Sequence, residues 1–126
     1  MLTTALLLFG ICASAVASHP IESTELVDRL NAGQAPVILD VRTAQEYAQG
    51  HIPGAINIPV NDLVSRGAEL KPFRDQEIVV YCQTGPRAAY AGHVLKKNGF
   101  AEVRDLQGHI HQWLANGYLL DLQISN

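Results

Sequence analysis

One thiol sets the chemistry open to this chain. Cys82 begins the run Cys82-Gln83-Thr84-Gly85-Pro86-Arg87, which places a nucleophile, a conformationally free glycine and a cation within six residues. A thiolate is a nucleophile, and the features of the loop that follows favour a thiolate over a thiol. Consecutive backbone N–H groups of a tight loop can cradle an anion, and a helix beginning behind them adds partial positive charge. Gly85 supplies backbone angles that other residues avoid, and Pro86 suits the first position of a helix. Arg87 either meets a bound anion or locks the loop through a carboxylate. The expected site is therefore a catalytic Cys82 with Gln83, Thr84, Gly85, Pro86 and Arg87 around the substrate. Lowering a thiol pKa from about 8.5 to about 6.5 raises the thiolate fraction at pH 7 roughly 25-fold, but costs roughly 6- to 10-fold in nucleophilicity. Most acceleration must then come from holding the substrate and stabilising the leaving group.

The elements that must present this loop follow from periodicity. The short apolar run Glu77-Ile78-Val79-Val80-Tyr81 predicts a buried strand delivering Cys82 at its end, and Ala88, Ala91, Val94 and Leu95 predict the helix after the loop. Upstream, Ser23 and Thr24 precede a helical pattern that stops at Asn31-Ala32-Gly33. Val37-Ile38-Leu39-Asp40-Val41 predicts a second buried strand, and Thr43 with Glu46 forms a capping box for a short helix ending at Gly50. Ala55-Ile56-Asn57-Ile58 predicts a strand stopped by Pro59, with Asn61 or Asp62 capping another short helix. Residues 71–76 predict a turn or loop, Val103-Arg104-Asp105-Leu106 a last strand, and the segment around Ile110, Trp113 and Leu114 a last helix. This alternation predicts an α/β fold, a mostly parallel central sheet with helices on both faces. In such sheets ligands bind beyond the carboxyl ends of the strands, where Cys82 falls.

Composition bounds the rest. With 48% apolar and 17% charged residues the chain is globular, and 9 Lys plus Arg against 12 Asp plus Glu leave no electrostatic footprint for nucleic acid. Residues 1–17 carry no charged side chain, and their apolar core is shorter than the roughly 20 residues a membrane span needs. Ala15 and Ala17 sit where a signal peptidase wants small residues. The expectation is an export signal over 1–17, cleaved after Ala17 or Ala15. That leaves a single domain over 18–126, with a periplasmic destination expected and no stable membrane anchor. Cys12 leaves with that segment, so Cys82 stands as the one thiol of the mature chain.

Other polar residues have simpler expected roles. Asp40 and Arg42 end or follow a central strand, where they can ion-pair near the pocket or act structurally. Glu46 is a helix cap, His51 a turn or packing residue, and Trp113, Tyr47 and Phe100 core anchors. His109 and His111, two apart on a helix, point to different sides and do not make a metal pair. The expectation is no metal and no cofactor.

The chain resembles the rhodanese family of sulfurtransferases across nearly all of residues 18–126, with small exported single-domain members most like it. The matching pieces are Leu39-Asp40-Val41-Arg42, Glu46-Tyr47, Gly50-His51-Ile52-Pro53-Gly54-Ala55-Ile56-Asn57, Ile78-Val79-Val80-Tyr81-Cys82 with Arg87, Lys96-Lys97-Asn98-Gly99-Phe100, and Gly108 leading to Trp113. The resemblance implies a rhodanese-like α/β fold and a persulfide on Cys82. It also implies an enzyme like thiosulfate sulfurtransferase, moving sulfane sulfur from a small anionic donor such as thiosulfate to a thiol or cyanide acceptor. Two departures stand out. Many members have a second glycine after Gly108, where this chain has His109, and Gln83 and Thr84 are neutral where thiosulfate-preferring members carry basic residues. The alternatives are a rhodanese-like phosphatase or a non-catalytic sulfur- or anion-binding module. Cysteine phosphatases space Cys and Arg by five residues, whereas four separate Cys82 from Arg87, and non-catalytic modules often lack the cysteine. A thiol redox protein would want a resolving cysteine, which residues 18–126 lack.

Overall fold

The computed structural model describes residues 19–123; the expected export signal lies outside the described residues. Four strands, β1 (Val37–Asp40), β2 (Ile56–Asn57), β3 (Glu77–Tyr81) and β4 (Glu102–Asp105), form one parallel sheet in the order β2-β1-β3-β4. The helices are α1 (Ser23–Asn31), α2 (Ala44–Gln49), α3 (Leu63–Arg66), α4 (Pro86–Lys97) and α5 (His109–Ala115). A strand's side chains alternate between faces, so each strand feeds two cores. Leu39, Val41, Ile78, Val80 and Cys82 pack with Leu63 of α3 and Ala88, Ala91 and Leu95 of α4. Ile38, Val79 and Tyr81 pack with Leu26 of α1, Tyr47 of α2, and Ile110 and Trp113 of α5. This is the expected α/β architecture, and within the four-stranded sheet every pairing is parallel.

Three local expectations change. Asn61 and Asp62 lie in a 3-10 turn, Val60–Asp62, and Asp62 holds the cap position of α3 without a side-chain bond. Ser23 is the first residue of α1 and does not cap it: Glu22 holds the cap position without a side-chain bond, and the Ser23 hydroxyl is buried without a partner. The neighbouring Ile21 is tied beside β4, donating to Asp105 O at 2.9 Å and accepting from Gln107 N–H at 2.8 Å, which fixes how the chain enters the helix. Part of the expected loop over residues 71–76 belongs to a 3-10 helix, Gly67–Phe73, whose Leu70 is fully buried. Pro72 is compatible with it because its fixed φ lies in the 3-10 range.

A buried polar cluster joins the ends of β1 and β3. Asp40 accepts from Arg42 Nε and Nη2, the latter at 2.7 Å, and from the Tyr81 hydroxyl at 2.7 Å. Arg42 also donates to Gly50 O at 2.8 Å, and Tyr81 accepts from Ile52 N–H at 3.0 Å. Burial disfavours the guanidinium charge of Arg42, and the bonds and charge of Asp40 outweigh it, holding its pKa above the ordinary value. Burial, reinforced by Asp40, also raises the Tyr81 pKa and keeps the phenol a donor. Removing one partner of a buried pair leaves the other charge uncompensated, typically a loss of about 3 to 5 kcal/mol. Arg42→Met should lower the unfolding free energy by about that amount in urea titrations. A loss below about 1 kcal/mol would show that the cluster is not structural.

Candidate active site

Cys82 follows β3 directly, and strand alternation turns its sulfur toward α3 and α4, at 1% exposure for the residue. The chain then turns sharply. Gly85, at φ +139, donates its N–H to Cys82 Sγ at 3.1 Å. A Cβ at Gly85 would lie 3.2 Å from His109 Nε2, so glycine meets both a backbone and a space requirement here. Pro86 begins α4 as expected, and the twelve residues of that helix direct the positive end of their dipole at the loop.

The loop carbonyls go elsewhere. Ile110 and His111, in the first turn of α5, donate their N–H groups to Cys82 O at 3.2 Å and Gln83 O at 3.3 Å. The first N–H groups of a helix have no partner inside it, so these bonds satisfy α5 as well as the loop. They turn the two carbonyls away from the face where Gly85 N–H meets the sulfur.

Arg87 is gripped by a carboxylate. Its Nη1 and Nη2 donate to Glu46 Oε1 and Oε2 at 2.7 and 3.1 Å, a two-pronged bond joining α4 to α2. Glu46 also closes the expected capping box, accepting from Thr43 N–H while Thr43 Oγ1 accepts from Glu46 N–H. The Arg87 bonds hold the Glu46 carboxyl well below the ordinary value, at about 2. The Arg87 pKa is raised, first by Glu46 and in smaller part by Cys82. Of the two roles open to Arg87 from sequence, the geometry displays the loop-locking one. Gln83 is half-buried, Thr84 and Pro86 are exposed at the rim, and neither Gln83 nor Thr84 makes a side-chain hydrogen bond among the described residues.

Asp40 and Arg42 do form the expected ion pair, but on the opposite face of the sheet from the Cys82 sulfur, bonded to Tyr81 and Gly50. Their neighbour Asn57 secures the end of β1 by donating to Asp40 O and Arg42 O, both at 3.0 Å. His51 packs as expected, stacked on Tyr47 with ring centroids 3.7 Å apart. Two partners escaped sequence reasoning. Glu46 as the anchor of Arg87 is 41 residues away with no local signal. His109, whose Nδ1 accepts from Cys82 N–H at 3.3 Å, reads in the sequence as a departure from glycine and as no metal ligand, with no signal for its bond to Cys82.

The pattern of the rhodanese-like domain family matches residues 22–116. The chain belongs to the rhodanese family. A sulfurtransferase of Allochromatium vinosum is 34% identical over 99 residues, covering 79% of this rhodanese and 91% of its own length. The thiosulfate:glutathione sulfurtransferase of Homo sapiens is 34% identical over 102 residues, covering 71% and 88%. Among solved structures, a rhodanese-related protein from Thermoplasma volcanium superposes with a TM-score of 0.73 at 31% identity, covering 83% of this chain and 99% of that one.

Because the Glu46 pKa is depressed, the pair stabilises this rhodanese above about pH 4.5, and the contribution is lost as pH falls toward about 2. Both side chains are about one third exposed, so solvent and salt weaken the effect. Glu46→Gln should lower the urea midpoint near neutral pH and flatten its decline between about pH 4.5 and about pH 2.5. Parallel acid declines in both proteins would mean that Glu46 does not carry this linkage.

Proposed function

We propose that this rhodanese is a sulfurtransferase that carries sulfane sulfur as a persulfide on Cys82. The observation supporting it most is the Gly85 N–H held 3.1 Å from Cys82 Sγ, in a loop whose first two carbonyls are bonded to α5. Negative charge at the sulfur meets the Gly85 N–H dipole there rather than carbonyl oxygens.

In the first half-reaction the Cys82 thiolate attacks the outer sulfur of a small anionic donor such as thiosulfate. A new S–S bond forms, the S–S bond of the donor breaks, and its electron pair leaves with sulfite. In the second, a thiolate or cyanide attacks the outer sulfur of the persulfide, and the electron pair returns to Cys82 as thiolate. Cys82 is nearly enclosed, which favours a compact donor over a bulky one. A persulfide carries its outer sulfur about 2 Å beyond Sγ, which presents it better to an acceptor. Among the described residues Cys82 is the one free cysteine, so none of them supplies an acceptor thiol. With Arg87 engaged by Glu46 and with Gln83 and Thr84 neutral, recognition of the donor anion falls chiefly to backbone N–H groups. Thiosulfate as donor is supported by the name of the human relative, which states both its substrates.

Intact mass after incubation with thiosulfate tests the chemistry. Wild type should gain about 32 Da, reversed by a thiol reductant, and Cys82→Ser should gain nothing while keeping its fold. Thiocyanate formation by Cys82→Ser within about tenfold of wild type would overturn the assignment of Cys82 as the carrier.

Export remains a separate proposal, motivated by the uncharged apolar stretch and small residues of 1–17. N-terminal sequencing of protein from the exported fraction should begin at Ser18. Intact Met1 on cytoplasmic material would sink both cleavage and export.

A further inference from the structure

His109 is the one non-glycine residue with positive φ among the described residues, at +53, directly after Gly108 at +71. Holding a side-chain-bearing residue in the left-handed region is unfavourable, and such strain persists only where the surroundings hold it. Glycine would occupy the position without that cost. The surroundings here are specific: the residue is 8% exposed, and the imidazole reaches the chemistry from both ends. Nδ1 accepts from Cys82 N–H at 3.3 Å. Nε2 lies against Gly85, 3.2 Å from where a Cβ would stand. The same ring therefore touches the residue that bears the sulfur and the residue whose N–H points at that sulfur.

We infer that His109 is a positioning residue for Cys82: its imidazole fixes the first peptide plane of the loop and backs the Gly85 turn, keeping Gly85 N–H on the sulfur. The inference rests on the sulfur-transfer reading above for its kinetic consequence, but not for its geometry. His109, Ile110 and His111 are three consecutive residues that bond in turn to Cys82 N, Cys82 O and Gln83 O. The last two bonds use backbone groups that any residue supplies. The first needs a side-chain acceptor, which a glycine at this position would lack.

The role requires a neutral ring with the proton on Nε2, because Cys82 N–H needs a lone pair at Nδ1. Burial favours that state and lowers the His109 pKa below 6.5, and the charge of Asp105 at the end of β4 opposes it in smaller part. Cys82, from the end of β3, meets the ring through its backbone N–H. Protonation would set one donor against another and break the bond, so the effect is present near neutral pH and is lost as pH falls below about 6.5 through the depressed pKa.

Two variants separate positioning from plain structural filling. His109→Gly accepts the backbone conformation and removes the acceptor. His109→Asn also tolerates positive φ and places a carbonyl oxygen near the position of Nδ1. His109→Gly should melt no lower than wild type, yet lose about tenfold in kcat with little change in KM for thiosulfate. His109→Asn should recover activity to within about threefold of wild type and lack the acid limb set by His109. The rate of Cys82 alkylation by iodoacetamide against pH is read in parallel, since it does not require sulfur transfer. It should be altered in His109→Gly and restored in His109→Asn at neutral pH. If wild type takes up no sulfur, the proposed function fails while alkylation still judges His109. Alkylation profiles identical in wild type and His109→Gly would overturn the positioning role, whatever the turnover shows. So would a glycine variant as active as wild type, or an asparagine variant no better than glycine.

Discussion

A loop can aim N–H groups at a sulfur atom only if the carbonyls of the same stretch find donors elsewhere, because every peptide unit carries both. In this rhodanese the donors come from α5. Its first turn has N–H groups with no partner inside the helix, and two of them take Cys82 O and Gln83 O. Each side would be unsatisfied without the other. The docking of α5 is itself secured by Ile110 and Trp113, both buried in the core beneath it. The polarity around the sulfur thus rests on apolar packing on the other face of the sheet. Changes in that core would be felt at the loop without touching it.

The remaining ties divide by face. Strand alternation places Tyr81 and Cys82, consecutive residues, on opposite sides of the sheet. On the Tyr81 side, Asp40, Arg42 and the phenol form a closed buried network that joins β1 to β3 and reaches Gly50 and Ile52. On the loop side, Glu46 and Arg87 join α2 to α4 near the surface. The first network is buried and intolerant of losing a member, because an unpaired charge there has no water. The second is about one third exposed, so its worth lies more in fixing the direction of Arg87 than in stability. One carboxylate, Glu46, both caps α2 and holds Arg87, which couples the start of that helix to the geometry of the site.

Family membership and local chemistry meet unevenly along the chain. The neutral pair Gln83 and Thr84, with Arg87 already engaged, leaves the loop dependent on dipoles rather than on free cations. His109 adds a side-chain bond at a turn where a glycine would add none. Both features shift work from charge to backbone geometry. Dipoles held rigidly can stabilise a developing anion without reorganising, so a loop of this kind gains most from whatever keeps it fixed.

The sequence by itself determined the elements whose signals are local. Ile78-Val79-Val80-Tyr81 is apolar and β-branched enough to be a buried strand, Thr43 and Glu46 are three apart as a capping box requires, and Gly85-Pro86 marks the entry of α4. Cys82 stood out because of its type and its place at a strand end. Local signals failed where a tertiary tie overrode them: Ser23 reads as preceding the helix, yet it is its first residue with its hydroxyl buried, two positions after Ile21, which is paired beside β4. Only the tertiary structure decided which partner each polar group would meet. Arg87 found Glu46 across 41 residues, Cys82 N–H found His109 across 27, and Asp40 and Arg42 turned to the far face of the sheet from the sulfur. A side chain's type and spacing fix what bonds it is able to make and which way a strand or helix points it. The partner it meets is set by how the elements pack, and that information is spread over the whole apolar core rather than written beside the residue.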